Sequence, residues 1–362
     1  MKKLLTCLRY LCVVLILCAF VLTVVLMWVY QGGTCFDPME KVAVTGHGGT
    51  PPEKGDSVKI MSWNIQYFAG KNYVFYYDLP DFSGPDLRPS SQDIAATFAE
   101  TVRVIDEERP DILMLQEVDE GAGRTDRENQ TQRLQSLLKN PYPYLAETFY
   151  WKARYVPHPK IMGPVGMKLV ILSRFPIDDA WRIALPQEKK DFFTQRLDLQ
   201  RCLLSVRVKV KKGKPLRMIN LHLEAFPEDK SLLAQQLEQV THTLDRAKAK
   251  NEIGVAAGDF NLLSPGQYMA LPLSQRYLYR ANSEMAPLFK AYTVVPGLMD
   301  SDPEKETPWF THFPNDTEVK APDRTIDYIV VDQGARVRSK SVRDNGTLHI
   351  SDHLPVMVTL GL

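Results

Sequence analysis

The sequence predicts a layered α/β domain, two packed β-sheets with helices on their outer faces, behind a single apolar N-terminal helix. Three observations predict it. Short apolar runs recur along most of the chain at strand length, two longer stretches repeat apolar residues at helical spacing, and residues 10–30 carry no charge at all. The composition, 44% hydrophobic and 24% charged in 362 residues, is that of a chain with a sizeable core.

The uncharged stretch comes first. It contains Leu11, Val13, Val14, Leu15, Ile16, Leu17, Phe20, Val21, Leu22, Val24, Val25, Leu26 and Met27. A helix of about 20 such residues, at about 1.5 Å per residue, spans a hydrocarbon core of roughly 30 Å. Lys2, Lys3 and Arg9 precede it and Trp28 and Tyr30 close it, the pattern of a span with a cytoplasmic N-terminus, residues 1–9, and interfacial aromatics. A cleaved signal peptide is the competing reading, but the apolar run is longer than the usual core of such a signal and no small-residue cleavage site follows. A retained anchor, with the remainder of the chain extracytoplasmic, is therefore expected. Residues 31–56 hold Gly32, Gly33, Gly46, Gly48, Gly49, Pro51, Pro52 and Gly55 and read as a flexible linker.

From residue 57 to 362 the elements follow in order. Apolar runs at 58–65, 111–118, 167–173, 202–210, 216–223, 254–258, 326–331 and 354–360 read as buried strands. Residues 93–108 place Ile94, Phe98, Val102 and Ile105 on one stripe behind a candidate cap at Ser91, and residues 228–249 do the same with Leu233, Leu237, Val240 and Leu244. Lys211 to Pro215 fits a polar turn.

The totals exclude several function classes. Lys plus Arg number 44 against 43 Asp plus Glu, so the field of the whole protein does not attract polyanions. The five cysteines, Cys7, Cys12, Cys18, Cys35 and Cys202, have neither the spacing of a disulfide framework nor that of a zinc site. Cys35 and Cys202 are more simply read as unpaired.

Polar groups gather at the ends of these strands: Ser62-Trp63-Asn64-Ile65, Gln116-Glu117-Val118, Asn220-Leu221-His222-Leu223, Gly258-Asp259-Phe260-Asn261, Arg324-Thr325-Ile326-Asp327-Tyr328 and Ser351-Asp352-His353-Leu354-Pro355. Each alone has a plain structural explanation as a turn or surface residue. Residues two apart on a strand face the same side, so Asn220 and His222 are expected to point together, as are Asp259 and Asn261 if the strand runs that far.

Taken in order, these segments resemble the endonuclease/exonuclease/phosphatase superfamily, typified by deoxyribonuclease I, over nearly the whole chain after the linker. The resemblance implies a four-layered sandwich of two facing sheets covered by helices, with an active site at one end. It implies a metal-dependent phosphoesterase in which Asn64, Glu117 and Asp352 serve a Mg²⁺ or Mn²⁺ ion, Asp259 handles the attacking water, and Asn261 contacts the phosphate. It pairs His353 with Asp327 as a proton-transferring dyad and sets His222 opposite as a phosphate contact or general acid. The residue types suit the reaction, because cleaving a phosphate ester needs neutralised phosphate oxygens, an activated water and a stabilised leaving oxygen.

The superfamily's shared core does not choose a substrate. Residues 67–78, 149–168 and 308–316 interleave aromatic and basic side chains, suited to stacking bases, to a lipid interface or to ordinary packing. The expected anchor favours a lipid or lipid-linked head group, with an extracytoplasmic nuclease as the alternative and a non-catalytic scaffold as a third reading. No protein partner is identifiable.

Overall fold

A computed structural model describes residues 2–79, 81–229, 231–316 and 318–362. It begins with α1 (Lys2–Gly32), one helix of 31 residues that includes the expected span. Among the described residues this helix is long and apolar enough to cross a membrane, and none of its apolar window is buried against the protein. Met1 of the expected cytoplasmic segment lies outside the described residues.

The linker expectation is corrected next. Instead of a free tether, residues 31–56 contain β1 (Met39–Lys41) and β2 (Val44–Gly46), which join opposite sheets. Gly33 already bridges to Ala153, so the folded body starts well before residue 57. Alternating Val42 and Val44 pack on the central core, a signal too short to stand out among the glycines.

The remaining elements are β3 (Ser57–Asn64), α2 (Ser91–Glu108), β4 (Ile112–Asp119), α3 (Gln130–Leu137), β5 (Tyr144–Val156), β6 (Gly163–Ser173), β7 (Ile177–Ala184), α4 (Phe192–Leu197), β8 (Cys202–Val208), β9 (Leu216–His222), α5 (Leu232–Ala249), β10 (Ile253–Asp259), α6 (Leu273–Arg276), α7 (Ala286–Ala291), β11 (Tyr292–Val295), β12 (Asp327–Asp332), β13 (Arg336–Val342) and β14 (Val356–Gly361). One sheet orders them β13-β14-β3-β4-β6-β5-β2 and the other β1-β7-β8-β9-β10-β12-β11, seven strands each.

Strand periodicity explains the layers. Ile60, Ile112, Met114, Leu169 and Ile171 face inward and meet Leu204, Val206, Met218, Val255 and Ile329 from the other sheet. Their neighbours Met61, Trp63, Leu113 and Leu115 face outward and are covered by Ile94, Phe98 and Ile105 of α2. On the far side, Ile219, Leu221 and Ala256 are covered by Leu237, Val240 and Leu244 of α5. Central strands buried on both faces become continuous apolar runs, which is why they were legible. The result is the expected four-layered sandwich.

Several boundaries shift. The hydroxyl of Ser90, not Ser91, caps α2 by accepting from Asp93 N, and α5 starts at Leu232, with Lys230 outside the described residues. Cys35 is exposed, Cys202 is buried, and both are free thiols. Asn315, one of the chain's Asn-x-Thr positions, is buried and donates to Asp78.

Candidate active site

β3 and β4 run parallel, as do β9 and β10, so their C-terminal ends share one end of each sheet. That end carries the chemistry. Asn64 closes β3, His222 closes β9 and Asp259 closes β10, while Asp327 opens the antiparallel β12 directly opposite Asp259. His353 arrives from the other sheet, just before β14.

Local irregularities aim the side chains. Glu117 sits at a bulge where the β4–β6 register slips between Leu115 and Val118, and its φ of 58° turns the carboxylate out of the ladder. Gly258 has φ 147°, and a Cβ there would lie 1.9 Å from the Leu221 carbonyl oxygen, so only glycine lets β10 pass β9 closely enough to place Asp259.

The geometry is compact. Asn64 Nδ2 donates to Glu117 Oε1 at 2.9 Å and to Asp259 Oδ2 at 3.2 Å, while its Oδ1 accepts from Gln66 N at 3.1 Å. Its carboxamide therefore orients two carboxylates. Asp259 Oδ2 lies 3.4 Å from His222 Nε2 and 3.6 Å from His353 Nε2. His353 Nδ1 is held by both oxygens of Asp327, at 3.0 and 2.9 Å. Thr311 Oγ1 accepts from Asp327 N, and Trp63 Nε1 donates to the His353 carbonyl, fixing both members of the dyad.

Burial and charge set the titration. Burial pushes the Asp259 carboxyl up to about 7, with His353 pulling down and Asp327 pushing further up. Burial likewise raises Asp327. Burial alone would lower His353, but the carboxylates of Asp327, Asp259 and Asp352 outweigh it and hold the imidazolium well above the ordinary histidine range. These three groups share protons as one cluster. His222 goes the other way, lowered by burial and by the nearby Arg201 and His353 charges, and stays neutral.

The donor set fits a hard divalent cation. Glu117 is raised by burial and by the Asp352 carboxylate, with the Asn64 amide, Arg124 and His353 pulling it down, and its carboxylate oxygens are of the kind a hard divalent cation takes. Ligand atoms of Asp259, Asp327 and His353 lie within 4.8 Å of one another, as do those of His312, Asp352 and His353.

One expectation is refined and one changes. Asn220 faces the other sheet on the same side as His222, but its side chain is taken up there: it accepts from Gln116 Nε2 at 2.6 Å and donates to the Leu115 and Val170 carbonyls, both at 2.9 Å, stapling one sheet to the other. β10 ends at Asp259, so Asn261 does not continue the strand. Its φ is 53°, its N–H donates to Asp259 Oδ1, and its Nδ2 donates to Leu223 O at 3.1 Å.

Two residues emerge that the strand-end motifs did not mark. His312 is buried with its ring centroid 4.3 Å from that of His353 and with Nδ1 unpartnered. Arg201 is 4% exposed, with Nε and Nη1 making no hydrogen bond, although the Glu224 carboxylate lies 3.5 Å from Nε. An arginine directly before β8, a strand that begins beside the end of β9 and its His222, was the available signal.

The family model described as "Endonuclease/Exonuclease/phosphatase family" matches residues 61–353. Among solved structures, an endonuclease/exonuclease/phosphatase from Beutenbergia cavernae is 23% identical with a TM-score of 0.54, the match covering 84% of this chain and 72% of that one. The human Nocturnin catalytic domain with bound sulfate is 18% identical with a TM-score of 0.52, over 88% of this chain and 96% of that one. D. rerio TDP2 complexed with single strand DNA product is 14% identical with a TM-score of 0.51, over 84% and 99%. A comparison with curated protein sequences finds no match. With six ordered motifs converging on one basin and the family model matching most of its length, the chain belongs to the endonuclease/exonuclease/phosphatase family, whose members are hydrolases of phosphate esters.

Proposed function

We propose that the chain is a Mg²⁺- or Mn²⁺-dependent phosphoesterase acting on a lipid or lipid-linked head group at a membrane it spans through α1, with the catalytic body extracytoplasmic. The observation that carries the chemistry is the Asp259 carboxylate set between the Nε2 atoms of two buried histidines, one neutral and one held charged by Asp327.

On this reading Asp259 orients and deprotonates the attacking water. His353, oriented through Nδ1 by Asp327, presents Nε2 to a phosphate oxygen and stabilises the charge that develops there. Neutral His222 offers its ring N–H to the phosphate or the leaving oxygen. Arg201, paired at Nε with Glu224 at 3.5 Å but with no hydrogen bond on Nη1, brings its buried guanidinium to the same side, within electrostatic reach of Glu117 and Asp259, and Asn261 completes the phosphate contacts. Glu117, Asp352 and Asn64 form the metal side, where a bound divalent cation would neutralise the phosphate oxygens.

The lipid reading is supported by α1, and among the rings of the aromatic loop only Tyr77 is exposed while Tyr73 and Tyr76 are half-buried. Tyr67, Phe68 and Phe75 are fully buried and pack among themselves and against α2, so they are not free to stack bases. The nucleic-acid reading draws on the single-strand DNA product bound to D. rerio TDP2.

The test is hydrolysis by the full chain in detergent of matched panels of phosphoinositides, sphingomyelin, DNA and RNA, with Mg²⁺ or with EDTA, and with Glu117→Gln as the blank. Metal-dependent turnover of a lipid panel, absent in the blank, supports the reading. Turnover of nucleic acid alone replaces the lipid substrate, and turnover of nothing moves the scaffold reading forward.

A further inference from the structure

The topology brings the apolar N-terminal helix to the catalytic end of the sandwich. β4 and β5 both pair antiparallel with β6, so β5 runs in the same direction as β3 and β4. The tip that joins β5 to β6, residues 157–162, therefore lies at the end that carries Asn64 and Glu117. In the other sheet, Ala184 pairs with Cys202 and Leu203 with Leu221, so the 185–201 segment, with α4 inside it, lies at the end that carries His222 and Asp259.

α1 reaches both pieces. Trp28 packs on Tyr155 with ring centroids 5.1 Å apart, and Tyr30 stacks on Phe192 of α4 at 6.4 Å. Arg196 clamps the join, donating from Nη2 to the Tyr30 carbonyl at 3.0 Å with its guanidinium 4.3 Å from the centre of that ring. The end of the span is thus docked on the folded body at two points.

Around this join large apolar side chains stand uncovered. Phe192 is 55% exposed, Phe193 39% and Met162 59%. Arg154, Lys160 and Lys189, close to them along the chain, are exposed, as is Asp191 beside Phe192. Uncovered aromatic and aliphatic side chains continuous with the aromatic end of an uncharged span match the composition of a surface that sits in a lipid interface. A soluble partner protein would not account for the continuity with α1.

We infer that α4 and the β5–β6 tip form a bilayer-docking face, which seats Phe192, Phe193 and Met162 among the head groups of a membrane and holds the active-site end of the sandwich against it. The inference rests on the membrane reading of α1 proposed above and deepens it: the site is held at head-group level by a built surface. Two links join the face to the basin. Tyr76 stacks on His158 of the tip at 5.7 Å, and its neighbour Tyr77, hydrogen-bonded to Tyr67, is electrostatically coupled to Glu117. Arg201 follows α4 directly, so the face and the phosphate-contacting guanidinium share one short segment.

The test uses the full chain in nanodiscs of phosphatidylcholine and phosphatidylserine, with and without brominated acyl chains, and reads tryptophan emission. Phe193→Trp and Met162→Trp are compared with the parent chain and with Lys214→Trp, which lies in the β8–β9 turn at the opposite end. The expected result is a blue-shifted added emission for Phe193→Trp and Met162→Trp, mostly lost with brominated lipid, and a water-like added emission for Lys214→Trp that survives. If the parent emission that Trp28→Phe removes is quenched while the two added tryptophans behave like Lys214→Trp, the docking face is overturned and the span stands. If Trp28 is not quenched either, both fall. No turnover is measured, so neither outcome depends on which phosphate ester the enzyme cleaves.

Discussion

Asp327 grips His353 across the gap between the two sheets: Asp327 opens β12 in one sheet, His353 precedes β14 in the other, and both carboxylate oxygens lie within 3.0 Å of Nδ1. The contact orients the ring and holds its charge. Asp327→Asn keeps the shape but removes the counter-charge, so kcat on bis(p-nitrophenyl) phosphate should fall by about 10² to 10⁴ with the fold intact by circular dichroism. Near-normal turnover would remove the charge of His353, held by Asp327, from the stabilisation of the phosphate.

Glu117 carries the second prediction. Its carboxyl is raised by burial and by Asp352, so its charge destabilises the folded state above the unfolded value near 4.5, and the penalty fades as pH falls and the group protonates in both states. In EDTA at pH 7, Glu117→Gln should therefore be more stable than the parent, by about 1 kcal/mol. Mg²⁺ should raise the parent's melting temperature and leave that of the variant unmoved. Equal melting of the two chains in EDTA would contradict this account of the basin.

Asn220 predicts the opposite trade. Its side chain satisfies Gln116 and the carbonyls of Leu115 and Val170. Asn220→Ala removes three buried hydrogen bonds between the two sheets, at roughly 0.5–1.5 kcal/mol each. The melting temperature should drop by several degrees while turnover in the cold persists. A loss of turnover without a loss of stability would place Asn220 in the catalytic group.

The pairing of Glu108 with Lys59 and Arg343 predicts a pH dependence away from the site. Burial raises Glu108, but Lys59, at 2.6 Å, and Arg343, at 2.8 Å, outweigh it and hold the carboxyl below the ordinary glutamate value. A depressed folded pKa gives stability that is present above the unfolded value near 4.5 and lost as pH falls through the folded one. Denaturant melts should show Glu108→Gln less stable than the parent at pH 7, with the gap closing below about pH 4. A gap independent of pH would assign the effect to packing.

Much of this was legible because of burial. The strands β3, β4, β9 and β10 are covered on both faces, so each reads as an unbroken apolar run with its polar group at the end. β5, β7 and β13 were missed because they lie toward the sheet edges, where exposed residues interrupt the buried ones, as Lys152 precedes Ala153 in β5, or where no residue is buried, as in β13. β1 and β2 were hidden among glycines, since three residues of edge strand carry too little pattern to read. For Asn220 alternation gives the side of the strand correctly but not what waits on it.

The sequence by itself determined which groups can do chemistry and that they stand at strand ends, since residue type and periodicity are local properties. The tertiary structure alone decided which of them meet. Asp259 finds His222 through a parallel pairing, and His353 through the closure of two sheets whose partners are far apart in the chain. Glu117 is aimed by a one-residue bulge, and Asn220 is withdrawn from the site by carbonyls of the facing sheet. Those outcomes depend on register and packing between distant segments, which no short stretch of sequence encodes.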